Sequence, residues 1–409
     1  MRRVAAIAGT ALLASLTLVS AGPAPAAGPG VREVMYVGNN WDGTVDVVDA
    51  HTYHVVKHLN NIPDKQARLT EIYSNPVKLA FFLAIRGQIG QGHDQYTDDM
   101  FSTHDGTLLA VSRPSFADVV GISLATGKIA WRAPMDGYRA DHMAESPDGN
   151  RLLVSDSTAN VVHELDIHTG QRLRKFTSGD TPHESNYSPD GSLIYHASIG
   201  RIYTPTDPSQ FCPYTDPTKG VQIFQVVDNA TFAILHRWDI GKKLAEAGYP
   251  CMSSAVRPMA IAPDQRYAYL QISFLHGFVE FDMQQQKVTR VALLPNLVPT
   301  LPKSLYLLNS AHHGLTMNSA GTTLCAAGTM DGYAAIVNRT TLQYTILPVG
   351  HTPYWATNGP SGDQCWMSVA ADNKVAVIDY ATAHVITYVQ VGRHPQRVRA
   401  GVIDSSLIP

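Results

Sequence analysis

A short apolar segment, a turn rich in proline, aspartate and glycine, and a second apolar segment recur along the chain. The turn occurs six times, at Thr103–Gly106, Ser146–Gly149, Ser188–Gly191, Ala262–Gln265, Asn318–Gly321 and Gly359–Gly362. Proline presets the dihedral angle that opens such a turn, and glycine accepts the positive φ that a hairpin requires. The first three turns are followed by apolar runs typical of strands, Leu108–Val111, Leu152–Val154 and Leu193–Tyr195. The pattern predicts a series of β-hairpins.

The spacing of the turns indicates how the hairpins are organised. Gly106 and Gly149 are 43 positions apart, Gly149 and Gly191 are 42 apart, and Gly321 and Gly362 are 41 apart. A four-stranded propeller blade needs about 40–45 residues, so each turn marks one blade. The longer intervals, 74 positions from Gly191 to Gln265 and 56 from Gln265 to Gly321, predict insertions in the third and fourth blades.

A seventh blade is predicted from the two ends of the chain. Gly392–Val398 has the pattern of an innermost strand and then the chain stops, whereas Glu33–Val37 and Val45–Asp49 have the pattern of the remaining strands. Joining them closes the ring and leaves no open sheet edge. We therefore expect an all-β fold, a seven-bladed β-propeller over residues 31–409.

Two insertions, at about 63–91 and 203–254, interrupt the repeat. In the first, apolar residues at three- and four-residue steps predict helices over 64–74 and 78–87, separated by Asn75-Pro76. This helical hairpin either roofs one mouth of the channel or covers apolar surface. The second insertion is loop-like, with a short helix predicted over 242–247.

The first 27 residues have the features of a signal peptide. Arg2 and Arg3 precede an apolar run over 4–19, and small residues over 24–27 supply a cleavage site. We therefore expect a secreted protein, in which disulfides are permitted. The four cysteines predict either the pairs Cys212–Cys251 and Cys325–Cys365 or four buried free thiols.

Charge narrows the range of partners. The formal net charge is −3, and no long basic run is present. We therefore expect no nucleic acid partner. No apolar run after the first is long enough to span a bilayer, so we expect no membrane partner either. The chain is expected to be a monomer.

Ionisable residues recur at one offset from the turns. Eight positions before the last residue of each turn lie Asp98, Asp141, His183, Arg257, His313 and Tyr354, and seven before lie Asp99, His142, Glu184, Pro258, Gly314 and Trp355. His312 is one step earlier, and His394, Arg397 and Arg399 fall in the same region of the composite blade. Equivalent offsets predict a ring at one channel mouth, where convergent polar groups form either a ligand site or a set of ion pairs that satisfy one another.

The chain resembles known proteins in two respects, its repeat and its ring motifs. Val45–Thr52 and Asp166–Gly170 resemble the YVTN-repeat propellers, which implies the fold. The ring motifs Asp141-His142-Met143, Pro182-His183-Glu184, Ser310–Gly314 and Pro353-Tyr354-Trp355, with Arg201–Asp207, resemble secreted propellers that include lyases acting on rhamnosyl-glucuronate polysaccharides. This resemblance implies that histidine acts as acid and base in the pocket.

The residue types suit a β-elimination next to a carboxylate. We expect His142, His183 and His313 to act as acid/base groups or metal ligands, Arg257 to hold the carboxylate, and Tyr354 to donate a proton. Further contacts to a uronic-acid oligo- or polysaccharide are expected from Arg201, Tyr203, His312, Trp355 and Arg397. The alternatives are a non-catalytic glycan- or protein-binding propeller, and a redox or lactone-cleaving propeller with a divalent metal, Ca²⁺ or Mn²⁺, in the channel.

Overall fold

The computed structural model describes residues 30–202 and 217–409, which form seven four-stranded antiparallel sheets. The predicted seven-bladed propeller is confirmed. The composite blade contains β1 (Val31–Asn39), β2 (Thr44–Asp49), β3 (Val55–Asn60) and β28 (Pro395–Asp404). The predicted signal peptide, Tyr203 and Cys212 lie outside the described residues.

The other six blades follow in chain order, each with its first strand innermost. Blades one to three are β4 (Met100–Ser102), β5 (Leu108–Arg113), β6 (Asp118–Ser123), β7 (Ile129–Pro134); β8 (Ala140–Glu145), β9 (Arg151–Asp156), β10 (Val161–Asp166), β11 (Arg172–Thr177); and β12 (Pro182–Tyr187), β13 (Leu193–Ser198), β14 (Phe224–Asp228), β15 (Ile234–Trp238). Blades four to six are β16 (Val256–Ile261), β17 (Tyr267–Ile272), β18 (Gly277–Asp282), β19 (Lys287–Leu293); β20 (Leu315–Met317), β21 (Thr323–Gly328), β22 (Tyr333–Asn338), β23 (Tyr344–Pro348); and β24 (Pro353–Asn358), β25 (Gln364–Val369), β26 (Lys374–Asp379), β27 (His384–Gln390).

The ring closes through the pairing of the two chain ends. β28 is antiparallel to β1, with Tyr36 opposite Arg399 and Val37 opposite Val398. The inner strands of successive blades contact one another in a complete circuit, and β28 contacts both β24 and β4. Arg397 and Arg399 are therefore carried to the axis by the composite blade, as its sequence pattern predicts.

The repeated turn forms because its residues satisfy one another. Gly149 adopts a left-handed φ of 69°, and the hydroxyl of Ser146 accepts a hydrogen bond of 3.0 Å from the N–H of Arg151. In the fourth blade Gln265 takes the glycine position with φ 53°. The predicted turn therefore forms there even without glycine, because a single residue can adopt this conformation at modest cost.

The apolar core lies between neighbouring blades. Tyr36 and Val47 of the composite blade pack against Leu109 of blade one, and Val119 of blade one packs against Leu152 of blade two, all with no exposed surface. Each sheet is therefore buried on both faces, and each blade depends on its neighbours for stability.

The first insertion forms the helices α1 (Lys65–Tyr73) and α2 (Pro76–Ala84), followed by a π-helical turn over Ile85–Ile89. The second helix begins two residues earlier than predicted because the side chain of Asn75 caps it, accepting hydrogen bonds from the N–H groups of Val77 and Lys78. Phe81 stacks on Tyr138 of the loop before β8, with ring centroids 4.1 Å apart. The hairpin thus covers blade one and reaches the edge of blade two.

The remaining short elements lie in the connections. The third helix, α3 (Ile240–Glu246), begins two residues earlier than predicted, at a cap formed by Asp239. The 3₁₀ turns are Pro114–Phe116, Pro217–Lys219, Lys303–Leu305, Leu307–Asn309, Ala370–Asp372 and Ser405–Leu407. Among the described residues, no helix is both long and apolar enough to cross a bilayer.

One predicted disulfide is present. Cys325 of β21 and Cys365 of β25 are bonded, with their Cα atoms 6.4 Å apart, and the bond joins the second strands of blades five and six. Cys251 is also disulfide-bonded. Its predicted partner, Cys212, lies outside the described residues, so the pair Cys212–Cys251 stays a prediction.

Candidate functional site at the propeller axis

The polar residues predicted to form a ring meet where the inner strands begin, at one end of the central channel. At most 4% of the surface is exposed for each of Asp98, Asp99, Asp141, His142, His183, Glu184, Arg257, His313, Tyr354, Trp355 and Arg397. Such burial is costly for ionisable groups unless they are paired or hold a ligand. The ring therefore forms a closed polar cluster.

Local irregularities of the strands direct these side chains to the axis. The pairing register shifts within Ala140–Met143 of β8 and within Pro182–Ser185 of β12, and similar shifts occur at the start of β16 and β24. A β-bulge leaves residues unpaired and changes the direction of their side chains. His142 and His183 lie inside the first two bulges, which explains how consecutive positions can both carry polar groups.

His313 is positioned differently, by a glycine and a buried amide. Gly314 adopts a φ of 142°, and a Cβ at this position would lie 2.8 Å from the carbonyl oxygen of Tyr354. The side chain of Gln271 accepts a hydrogen bond of 2.8 Å from the N–H of Gly314 and donates one of 3.0 Å to its carbonyl. The segment is thus fixed close to β24, with His313 at the axis.

Three imidazoles from three blades come into contact. The ring centroids of His142 and His183 are 3.9 Å apart, and those of His183 and His313 are 5.3 Å apart. Nε2 of His183 lies 3.3 Å from Nε2 of His313. One ligand atom from each of the three residues lies within 4.8 Å of the others. The sequence predicted that these histidines meet, and the structure brings them together.

The three imidazoles are neutral. Burial lowers the pKa of each well below its usual value, and the positive charge of Arg397 lowers each pKa further. The guanidinium of Arg397 donates a hydrogen bond to Nε2 of His142. Among the described residues, Nδ1 of His142 and Nδ1 of His183 have no hydrogen-bond partner. Because Nε2 of His142 accepts from Arg397, its Nδ1 carries the proton, and the cluster contains ring nitrogens whose hydrogen-bonding capacity is unused by the described residues.

Two carboxyl groups adjoin His142. Burial raises the pKa of Asp98 to about 7, although the charge of Arg397, 3.7 Å away, opposes this shift. Oδ2 of Asp98 has no hydrogen-bond partner among the described residues. Asp141 accepts a hydrogen bond from the guanidinium of Arg139 and lies 3.8 Å from His142. The cluster thus contains both acceptor oxygens and acceptor nitrogens.

Two further carboxyl groups connect the blades around the ring. Asp99 accepts hydrogen bonds of 2.8 and 2.7 Å from Arg399 and one of 2.9 Å from the N–H of Met143. Glu184 accepts one of 2.7 Å from the N–H of Met259, and burial raises its pKa to about 7. These contacts hold the starts of the inner strands in fixed positions.

Aromatic side chains form one wall of the cluster. The rings of Tyr354 and His313 are stacked, with centroids 4.2 Å apart. Trp355 lies 5.4 Å from His142 between ring centroids, and the guanidinium carbon of Arg397 lies 4.3 Å from the centroid of Trp355. Burial raises the pKa of Tyr354, so its hydroxyl keeps its proton at neutral pH.

Arg257 lies close enough to the axis for its positive charge to lower the pKa of His183 and of His313, and it also binds neighbouring segments. Its Nε donates a hydrogen bond of 2.9 Å to the hydroxyl of Ser273, and its Nη2 donates to the carbonyl of Leu308. Arg257 therefore holds the segment before β20 near the axis, and its role in binding a carboxylate stays a prediction. Arg397 contacts His142. Nε and Nη1 of Arg397 have no hydrogen-bond partner among the described residues.

Arg201 and Tyr203 are two further substrate contacts expected from the sequence, and the structure describes only the first of them. Arg201 is exposed and forms an ion pair of 3.3 Å with Asp180, just before β12. Tyr203 lies outside the described residues, so its role stays a prediction.

His312 contacts a second cluster rather than the axial one. It lies next to His276 and Asp331, which the sequence analysis did not select. Burial alone would raise the pKa of Asp331, but hydrogen bonds from the two imidazoles and from a backbone N–H lower it to about 2. A signal was present in the sequence: His276 and Asp331 each precede a glycine, Gly277 and Gly332, in the turn between the second and third strands of adjacent blades.

Several of these groups have the composition of a metal site. Three sets offer three potential ligand atoms each: His142, His183 and His313; Asp98, Asp141 and His142; and His276, His312 and Asp331. The first two share His142 and lie at the axis. The third is separate.

The fold and this cluster define the class of the protein as a seven-bladed β-propeller with a polar, histidine-rich axis. No family model matches the chain, and no curated protein sequence matches it. Among solved structures, it is similar to hydrazine synthase from Kuenenia stuttgartiensis, with a TM-score of 0.54 and 14% identity over 76% of this chain and 96% of the other. A similarity at this level of identity supports the propeller fold and nothing more specific.

Proposed function

We propose that this protein is a metal-dependent enzyme whose axial histidines, His142, His183 and His313, bind one divalent transition-metal ion. The observation that carries the proposal is the convergence of three buried, neutral imidazoles from three separate blades, with ligand atoms within 4.8 Å of one another. Three-histidine sites that keep an open position are typical of catalytic metals.

The distance between two of the imidazoles and the ligand types fit such an ion. Two nitrogen ligands on a tetrahedral ion, each about 2.0–2.1 Å from it, are about 3.3 Å apart. Nε2 of His183 and Nε2 of His313 are separated by 3.3 Å. A proton shared between the two nitrogens would give a similar distance, so metal binding must be tested directly. Imidazole favours zinc, copper, iron or nickel, whereas Ca²⁺ prefers oxygen ligands. Mn²⁺ would suit only a set that also includes Asp98 and Asp141.

The surroundings of the three histidines suggest the kind of substrate. Arg397 would hold an anionic group beside His142, because its remaining N–H donors face no protein acceptor among the described residues. Asp98 could exchange a proton near neutral pH, since its pKa is raised to about 7. The site is closed, with its residues at most 4% exposed. A small anion therefore fits it better than a polymer does.

Metal content tests the proposal. The full chain, purified without chelators, should contain one equivalent more of a transition metal than the variant His183→Ala. The matched control is His351→Ala, because His351 is exposed and pairs only with Asp372 in the part of the chain that the structure describes. Circular dichroism would verify that both variants fold. Wild-type protein that neither contains nor takes up Zn²⁺, Cu²⁺ or Fe²⁺ at this site would overturn the proposal.

A second candidate function is elimination at a uronic acid, as the resemblance to polysaccharide lyases implies. The specific observation in its favour is the contact between Arg397 and the neutral His142, with the protonated Tyr354 nearby. In this reaction Arg397 would bind the carboxylate, an axial histidine would take the α-proton, and Tyr354 would protonate the leaving oxygen. Incubation with glucuronate-containing polysaccharides should then give the ultraviolet absorbance of an unsaturated uronate. Normal metal content with no such product would leave only the first candidate.

We also propose that the protein acts outside the cytoplasm, as its N-terminal sequence suggests. The disulfide between Cys325 and Cys365 is compatible with an oxidising compartment. Expression of the full precursor should yield mature protein in the medium or cell wall fraction. Accumulation of unprocessed protein inside the cell would contradict the proposal.

A further inference from the structure

A second group of potential metal ligands lies between blades four and five. His276 is in the turn between β17 and β18, His312 precedes β20, and Asp331 is in the turn between β21 and β22. Nδ1 of His276 lies 2.7 Å from Oδ2 of Asp331, and Nε2 of His312 lies 3.2 Å from the same oxygen. Three separate segments therefore bring two imidazoles and one carboxylate to one point.

The group is distinct from the axial cluster although it adjoins it in sequence. His312 and His313 are consecutive, and consecutive side chains of an extended segment point in opposite directions. His313 contacts His183 at the axis, whereas His312 contacts Asp331 and the hydroxyl of Tyr333. A ligand at one group would therefore not occupy the other.

Outer contacts hold the three side chains in place. The backbone N–H of Leu297 donates a hydrogen bond of 2.8 Å to Oδ1 of Asp331, which leaves Oδ2 for the two imidazoles. Nε2 of His276 lies 2.9 Å from the hydroxyl of Tyr306, which orients that ring. Metal-binding histidines commonly have their second nitrogen fixed in this way, and metal-binding carboxylates are usually hydrogen-bonded in turn.

Hydrogen bonds within the group do not satisfy all of its polar atoms. Nδ1 of His312 is buried and has no partner among the described residues. The side chain of His276 is 10% exposed, whereas those of His312 and Asp331 have no exposed surface. An ion could thus approach past His276 and meet two fully buried ligands.

We propose that His276, His312 and Asp331 form a second metal site, which binds Zn²⁺ independently of the axial histidines. Two imidazole nitrogens and one carboxylate oxygen are a common protein ligand set for zinc, with water in the fourth position. Tetrahedral ligands on zinc are about 3.3 Å apart, so Nδ1 of His276 and Oδ2 of Asp331, now 2.7 Å apart, would have to separate by about 0.6 Å. On binding, the N–H proton that each neutral imidazole directs at the carboxylate would move to its other ring nitrogen, Nε2 of His276 and Nδ1 of His312.

Calorimetric titration of the metal-free full chain with Zn²⁺ tests this site. Wild-type protein and the control His351→Ala, which lacks an exposed histidine of a His–Asp pair, should each bind two equivalents. His276→Ala should bind one equivalent, and His183→Ala should bind the other. Asp331→Asn, which keeps the shape of the side chain, provides a second variant if His276→Ala does not fold.

The outcomes separate this inference from the proposed function. Two equivalents in wild type and one in either His276→Ala or Asp331→Asn would support the second site. One equivalent in wild type that is lost in His183→Ala would overturn the second site and leave the axial centre standing. One equivalent that is lost in His276→Ala and kept in His183→Ala would support the second site and overturn the axial one. No binding by wild-type protein would overturn both.

Discussion

Asp99 is a position where one substitution should weaken the closure of the ring. Its carboxylate has no exposed surface, and it accepts two hydrogen bonds from Arg399 of the composite blade and one from the N–H of Met143 in blade two. It therefore connects three consecutive blades, among them the one that joins the chain ends. The substitution Asp99→Ala removes all of these contacts together.

The size of the effect follows from what remains after the substitution. Removing one partner of a buried ion pair costs about 3–5 kcal/mol. The side chain of Arg399 is 14% exposed, so water can compensate in part and the lower end of that range applies. The N–H of Met143 loses its acceptor in a buried position, which adds about 1 kcal/mol. We expect a loss of about 4 kcal/mol in the free energy of unfolding.

Equilibrium unfolding in urea, followed by far-ultraviolet circular dichroism, measures this loss. The matched control is Asp264→Ala, because Asp264 also pairs with an arginine, Arg339, at 3.2 Å but has a side chain that is 49% exposed. An exposed pair of this kind contributes at most about 1 kcal/mol. If the unfolding free energy of Asp99→Ala lies within about 1 kcal/mol of that of the control, the carboxylate does not hold the ring closed.

Three further predictions concern charge, the disulfide and metal uptake. Because the folded pKa of Asp98 is raised to about 7, the folded state keeps a proton that the unfolded state loses from about pH 4 upward. The contribution of Asp98 to stability therefore falls as pH rises between about 4 and 7, and Asp98→Asn should gain stability relative to wild type over that window. If the difference in unfolding free energy between Asp98→Asn and wild type is the same at about pH 5 and pH 8, Asp98 is not a buried carboxyl group with a raised pKa. The double variant Cys325→Ser/Cys365→Ser should lose about 3–4 kcal/mol of unfolding free energy, since the disulfide closes a loop of 40 residues. If the double variant is still less stable than wild type by this amount after both are chemically reduced, the loss does not come from the disulfide. Zinc uptake by the axial site should weaken on acidification, because imidazoles must stay deprotonated to bind metal, and uptake that does not weaken on acidification would contradict histidine ligands.

The sequence carried enough information for the architecture. Turn residues such as Gly149 adopt the positive φ that their spacing implied, and the chain ends pair as their strand patterns suggested. The start of α2 was harder to predict from the sequence, because Asn75-Pro76 resembles a break between helices. In the structure, Asn75 caps the helix and Pro76 is its first residue.

The candidate site could be predicted in part. A constant offset from the turns places His142, His183 and His313 together because equivalent strand positions meet at one axis. The direction of each side chain depends on bulges that leave no mark in the residue pattern, such as the one over 140–143. For the same reason, the contact between Arg397 and His142 could not be foreseen from one sequence.

Anomalous diffraction would show whether the propeller axis binds a metal ion. Crystals of the full chain grown with Zn²⁺ or Co²⁺ should show an anomalous peak about 2.0–2.1 Å from one nitrogen of each of His142, His183 and His313. An axis without such a peak, in crystals whose surface sites are occupied by the same ion, would contradict the account.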